Sequence, residues 1–159
     1  VTGSTYILNQ ENQTINKIIG GVVGLTSRVS RDGSKLVFSE STKGGPKLYL
    51  YDIKNNTTTD LKLYGIAEKC VWGKDSINLY CALPTKIDTL NLPDKWYQGS
   101  TTFEDIFVKI DVQKINITNI ADSTKETPTD AFNLFVDDNE KYLFFTNKKD
   151  LTFWMLSLE

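Results

Sequence analysis

Ser30-Arg31-Asp32-Gly33-Ser34-Lys35-Leu36-Val37-Phe38-Ser39 is the stretch on which the reading of this chain turns. An Asp-Gly pair makes a tight turn, because Asp bonds nearby backbone and Gly accepts a positive φ without a Cβ clash. The turn releases a run of β-branched and aromatic residues suited to a pleated strand. The same shape recurs twice. Trp72-Gly73-Lys74-Asp75-Ser76 leads into Ile77-Asn78-Leu79-Tyr80-Cys81, and Val136-Asp137-Asp138-Asn139-Glu140-Lys141 leads into Tyr142-Leu143-Phe144-Phe145-Thr146. Asp32 and Asp75 stand 43 residues apart, within the roughly 40–45 residues of a four-stranded propeller blade. Asp75 and Asp138 stand 63 apart, and a long loop at 84–102 accounts for the surplus.

Outward from these turns the alternation is of strand type nearly everywhere. Thr5–Asn9 and Thr14–Ile19 form a first pair. Lys47–Asp52, Ile106–Ile110, Ile115–Ile120 and Leu151–Leu158 continue the series, and no stretch holds a helical period for three turns. The expected fold is all-β: about three and a half propeller blades of four-stranded antiparallel sheet, part of a seven- or eight-bladed propeller. The expected divisions are two closing strands of one blade at 1–20, a blade at 21–64, a blade at 65–121 carrying the loop 84–102, and three strands of a final blade at 122–159. Small antiparallel sheets of this kind bury their faces by stacking around an axis. Three and a half blades do not close a ring, which predicts a covering partner: the missing N-terminal half of the propeller or a second copy of the chain.

Composition narrows the function. Histidine is absent, which removes the commonest general base and transition-metal ligand. The two arginines, Arg28 and Arg31, are too few for a clamp of several guanidiniums. Net charge is −2, with 18 Lys+Arg against 20 Asp+Glu and no basic block, so nucleic acid is not an expected partner. No apolar run approaches the ~18 residues of a membrane span, and any leader or anchor is expected upstream of Val1. Cys70 and Cys81 flank a hairpin centred near Asp75, which sets them almost opposite each other. They are expected to form a disulfide in an oxidising compartment, the alternative being two buried thiols.

The segment Ser30–Phe38, with the later strand Leu48-Tyr49-Leu50-Tyr51-Asp52-Ile53, resembles the TolB-type, WD-like propeller repeat, with Arg31 where that repeat usually has proline. The chain as a whole resembles the C-terminal half of a group of uncharacterised, membrane-anchored propeller proteins of bacteria with reduced genomes. The segments that carry this are Lys69–Trp72, Leu92–Gly99 and Tyr142–Asp150. The resemblance implies an extracytoplasmic protein anchored through an upstream segment.

Candidate sites are few. Asp137, Asp138 and Glu140 are too closely spaced for a calcium loop and occupy a turn. Glu104 and Asp105 are adjacent, so a strand points them to opposite faces. A sialidase is excluded, because Asp32 is followed directly by Gly33 and two arginines cannot supply three. The long loop is the best candidate, ending in Asp94-Lys95-Trp96-Tyr97-Gln98, where aromatics beside a proline can anchor a partner. Asp94, Trp96, Tyr97 and Gln98 are the expected binding residues, with Trp96 and Tyr97 on a rim outside the sheets; the alternative is that they fold back over the blade. No catalytic residue, metal or cofactor is expected. The expected function is a non-catalytic module contacting protein or glycan, the alternative being an accessory propeller of a larger hydrolase.

Overall fold

The computed structural model describes residues 1–87, 91–125 and 127–159. Its strands form four antiparallel sheets of two, four, four and three strands. The first pairs β1 (Thr2–Leu8) with β2 (Ile15–Val23). The second runs β3 (Thr26–Val29), β4 (Lys35–Thr42), β5 (Gly45–Asp52), β6 (Thr57–Tyr64). The third runs β7 (Cys70–Trp72), β8 (Asn78–Pro84), β9 (Asp105–Asp111), β10 (Asn116–Asp122), and the last β11 (Ala131–Val136), β12 (Tyr142–Asn147), β13 (Phe153–Ser157). The first strand β7 adjoins both β3 and β11, so the first strands form the inner side of the stack.

The recurrent turns are structurally equivalent. Each closes with a backbone N–H donating three residues back: Gly33 to Ser30, Ser76 to Gly73, Glu140 to Asp137. The donor residue has positive φ each time, at 71°, 55° and 54°. That equivalence shifts the sequence alignment of the third turn by one residue. Asn139, not Asp138, stands opposite Asp75, and the carboxylate that organises the turn is Asp137, which accepts the N–H groups of Asn139, Lys141 and Tyr142.

Between the second and third sheets lie Val37, Leu48, Leu61, Trp72, Leu79 and Ile110. Between the third and last lie Tyr80, Ala82, Phe107, Leu143 and Phe145. Burial of such side chains contributes about 1.5–3 kcal/mol each and is what holds neighbouring blades together. Polar bolts fix their register. The Trp72 indole donates to the Arg28 carbonyl at 3.0 Å. Glu140 accepts from the Tyr80 hydroxyl at 2.9 Å and from the Lys74 N–H at 2.6 Å. Gly73 permits that approach, since a Cβ there would lie 2.8 Å from the Glu140 carboxylate oxygens.

The outer face of the last sheet is apolar and uncovered. Phe135, Phe144 and Met155 form one cross-strand row. Phe153 stacks beside them, 5.8 Å from Phe144 between ring centroids. Phe135, Met155 and Phe153 are 47%, 60% and 63% exposed.

Cys70 pairs directly with Cys81 across β7 and β8, and the two form a buried disulfide with Cα atoms 4.1 Å apart. The loop it closes is short, so the loss of unfolded-state entropy is small. Replacing both with alanine is expected to lower stability by about 3 kcal/mol at most in urea unfolding. Thiol titration of the denatured, unreduced protein is expected to find no free thiol.

Candidate functional site

The inserted segment between β8 and β9 is anchored at its base, where the Thr85 N–H donates to the Glu104 carbonyl at 2.9 Å. Residues 88–90 of the predicted loop lie outside the described residues. Its second half folds into one short helix, α1 (Asp94–Tyr97). An isolated turn of this length cannot hold itself together. It is held by a cluster of charges beneath it.

At the centre is Lys69, on the 3₁₀ turn (Ala67–Lys69) just before β7, with a fully buried side chain. Its ammonium lies between two equally buried carboxylates, 2.8 Å from Asp105 and in direct contact with Asp130. Asp130 accepts the Trp96 indole N–H at 3.0 Å on each oxygen and the Phe103 N–H at 3.1 Å. Asp105 accepts the Ala131 N–H at 2.7 Å through the oxygen that meets Lys69. Its other oxygen has no hydrogen-bond donor among the described residues. The Lys69 ammonium also lies 5.3 Å from the Trp96 ring centroid and 5.0 Å from that of Phe103. Lys148 approaches Trp96 at 5.4 Å. These contacts tie the insert, the third sheet and the last sheet into one unit, since Lys69 and Asp105 belong to the former blade and Asp130 leads into β11.

Burial of unpaired charge is expensive, and the two carboxylates supply the partners this buried ammonium needs. One ammonium against two carboxylates leaves the cluster with a formal charge of −1. Burial pushes the Asp105 carboxyl above its usual range, opposed by the pull of Lys69.

Burial of Trp96 overturns its predicted exposure on the rim. It is 3% exposed, packed with Ile66, Leu92 and Phe103. The physical reason is its indole N–H, which finds a buried carboxylate, and the apolar positions of Leu92 and Phe103 on either side of α1. Tyr97 faces outward and is 48% exposed. Its phenol is raised above the ordinary range by partial burial and by the neighbouring Glu68 carboxylate, and therefore stays protonated at neutral pH. Asp94 and Gln98 are exposed. Asp94 borders a depression with Gly24, Ser41 and Asn91, whereas Tyr97 borders a different one. The helix therefore does not bring its four predicted binding residues together.

The depression beside Tyr97 has a volume of about 220 Å³ and is lined by Arg28, Glu68, Trp96, Tyr97, Phe132, Asn133 and Lys148. Three blades and the insert contribute to it. Asn133 sits in β11 where the pairing with β12 shifts register, and takes a positive φ of 52°. A bulge re-aims a side chain at the expense of ladder pairing. None of Arg28, Glu68, Asn133 or Lys148 was singled out as a binding residue from sequence. The one available signal for the buried cluster was a charge placed directly ahead of an apolar inner strand, at Lys69-Cys70 and Asp130-Ala131. Glu104 and Asp105 do point apart, with Glu104 exposed and Asp105 buried.

Comparison with known proteins bears on the fold. No family model and no curated protein sequence matches the chain. Solved structures do. TolB from Acinetobacter baumannii is similar with a TM-score of 0.65 and 10% identity, over 96% of this chain and 34% of that one. A chain of a nidogen/laminin complex is similar with a TM-score of 0.62 and 10% identity, over 96% of this chain and 51% of that one. Pyrococcus horikoshii acylaminoacyl peptidase gives 0.62 and 14%, over 98% of this chain and 26% of that one. The fold is a run of β-propeller blades of TolB type, and the chain spans about half or less of the structures it resembles.

Three variants separate the roles. Lys69→Met leaves two buried carboxylates facing each other and is expected to destabilise by about 3–5 kcal/mol. Trp96→Ala is expected to lose about 3–5 kcal/mol, the scale of a truncated buried aromatic. Asp105→Asn behaves differently, because its native carboxyl is raised on folding. Stability from a raised carboxyl is present below about pH 3.9 and is lost as pH rises through the folded value. The variant is therefore expected to match the wild type in acid and exceed it at neutral pH. A constant difference across denaturation curves from pH 4 to 7 would contradict that.

Proposed function

We propose that the chain is a non-catalytic binding module: part of a larger, extracytoplasmic, membrane-anchored propeller that recognises its partner, a protein or a glycan, at the depression beside Tyr97. The observation that carries this reading is how the polar groups are divided. The charges drawn into the interior, Lys69, Asp105 and Asp130, are spent on one another and on holding α1. The groups left at the surface of the depression are the donors of Arg28, Asn133 and Lys148, one carboxylate, Glu68, and an exposed aromatic ring, which suit recognition. The buried disulfide favours an oxidising location.

The uncovered row Phe135–Phe144–Met155 fits the same picture. Exposed apolar sheet faces of this kind are packing surfaces. A further blade is expected to cover it, from the rest of the propeller or from a second copy of the chain.

A second reading, an accessory propeller of a larger hydrolase, is favoured by the likeness to acylaminoacyl peptidase over 98% of this chain. In that case the depression would meet substrate on its way to a separate catalytic domain.

The test is Tyr97→Ala, assayed for retention on intact cell-envelope glycans and proteins. Tyr97 is half-exposed, so its loss is expected to leave the unfolding midpoint within a few degrees and to weaken retention about tenfold, the effect of removing one interface aromatic. Undiminished retention would contradict the placement of the site.

A further inference from the structure

The geometry points to a carboxylate as the group bound in this depression, a single negative charge carried on a small carbon skeleton. The inference rests on the binding reading above and names the chemistry of the ligand.

The charge pattern of the wall comes first. Arg28 and Lys148 bring two positive charges and Glu68 one negative, a balance of +1 (two minus one). A monoanion neutralises that balance. A dianion such as phosphate would leave excess negative charge beside Glu68.

Availability comes second. Nearby cations are engaged: Lys69 by two carboxylates, and Arg31 with Asp138 at 3.9 Å. Arg28 has no ion pair among the described residues, although its backbone is held by the Trp72 indole at 3.0 Å. An exposed guanidinium on a fixed strand is a preorganised fork for a carboxylate, which it can hold through two parallel bonds. Lys148 is similarly held, its N–H donating to the Asp130 carbonyl at 2.7 Å and its ammonium set 5.4 Å from the Trp96 ring.

The remaining groups complete a donor set. Asn133, at the bulge in β11, lines the same depression as Arg28 and Lys148, and its amide can donate there. The Tyr97 hydroxyl is spent on the Glu68 carboxylate, which leaves Arg28, Lys148 and Asn133 as the donors. Phe132 and the Tyr97 ring supply apolar wall for the carbon skeleton. A volume of about 220 Å³ admits one residue or one sugar ring, not a folded surface. Sequence composition argued against a cluster of guanidiniums, and none is needed: one arginine, one lysine and one bulged asparagine converge from β3, the turn after β12, and β11.

Two sources offer this chemistry, a sugar acid and an acidic amino-acid side chain, and the experiment separates them. Glucuronic acid is titrated against glucuronamide, and N-acetyl-glutamic acid amide against N-acetyl-glutamine amide. Side-chain NMR signals of Asn133 and Arg28 in the full chain provide the readout. One carboxylate probe is expected to bind at least about tenfold more tightly than its own amide, with binding weakened by salt. The tighter arm identifies the source. Arg28→Met is expected to abolish that preference while the unfolding midpoint holds. Arg31→Met, which lies outside the depression, is expected to keep it. Equal binding of acid and amide, no binding in either arm, or an unchanged preference in Arg28→Met would overturn the proposal. If Tyr97→Ala weakens envelope retention while Arg28→Met leaves it intact, the depression remains the binding site and only the carboxylate assignment falls.

Discussion

A single buried ammonium carries more of this structure than any other group. Lys69 has no access to water, so it must be neutralised where it stands, and Asp105 and Asp130 do so from two different blades. Removing any ion from water costs several kcal/mol, which is recovered only where geometry and additional hydrogen bonds are good. Here they come from the Trp96 indole and from the N–H groups of Phe103 and Ala131. The consequence is specificity of arrangement more than raw stability. The insert has one place in which Trp96 satisfies Asp130, and that place sets Tyr97 outward at the rim of the depression.

The second constraint is the repetition of the turns. Three equivalent turns hold the tips of adjacent blades, and their side chains reach across to the next blade: Ser76 accepts the Asp32 N–H, and Glu140 accepts from Lys74 and Tyr80. Inter-blade contacts of this sort make the stack one body although each sheet is small. The binding surface is then composed of loops and inner-strand positions on a rigid frame, the usual division between scaffold and recognition.

Much of the frame was legible in the sequence. Strand count per sheet, the long insert and the Cys70–Cys81 pairing all follow from turns and alternation, which are local signals. The third turn was misaligned by one because Asp137 and Asp138 are chemically alike, and only the positive φ at Glu140 sets the register. The buried cluster was not legible. Lys69, Asp105 and Asp130 are far apart in the chain, and each alone looks like an ordinary surface charge. Trp96 was misjudged for the same reason, since nothing in Asp94–Gln98 reveals that a carboxylate waits beneath it. Asn133 hides within an apolar strand, and its bulge appears only once β11 is paired with β12.

The account stands or falls on whether the insert and the two blades form one unit through Lys69. Hydrogen exchange measures this directly, because the Trp96 indole N–H reports the insert while backbone amides of β7, β9 and β11 report the blades. The account predicts that the indole exchanges as slowly as those amides, and that all of them accelerate together in mild denaturant. An indole that exchanges rapidly while the strands remain protected would show that α1 opens on its own, and that the buried charges do not hold it.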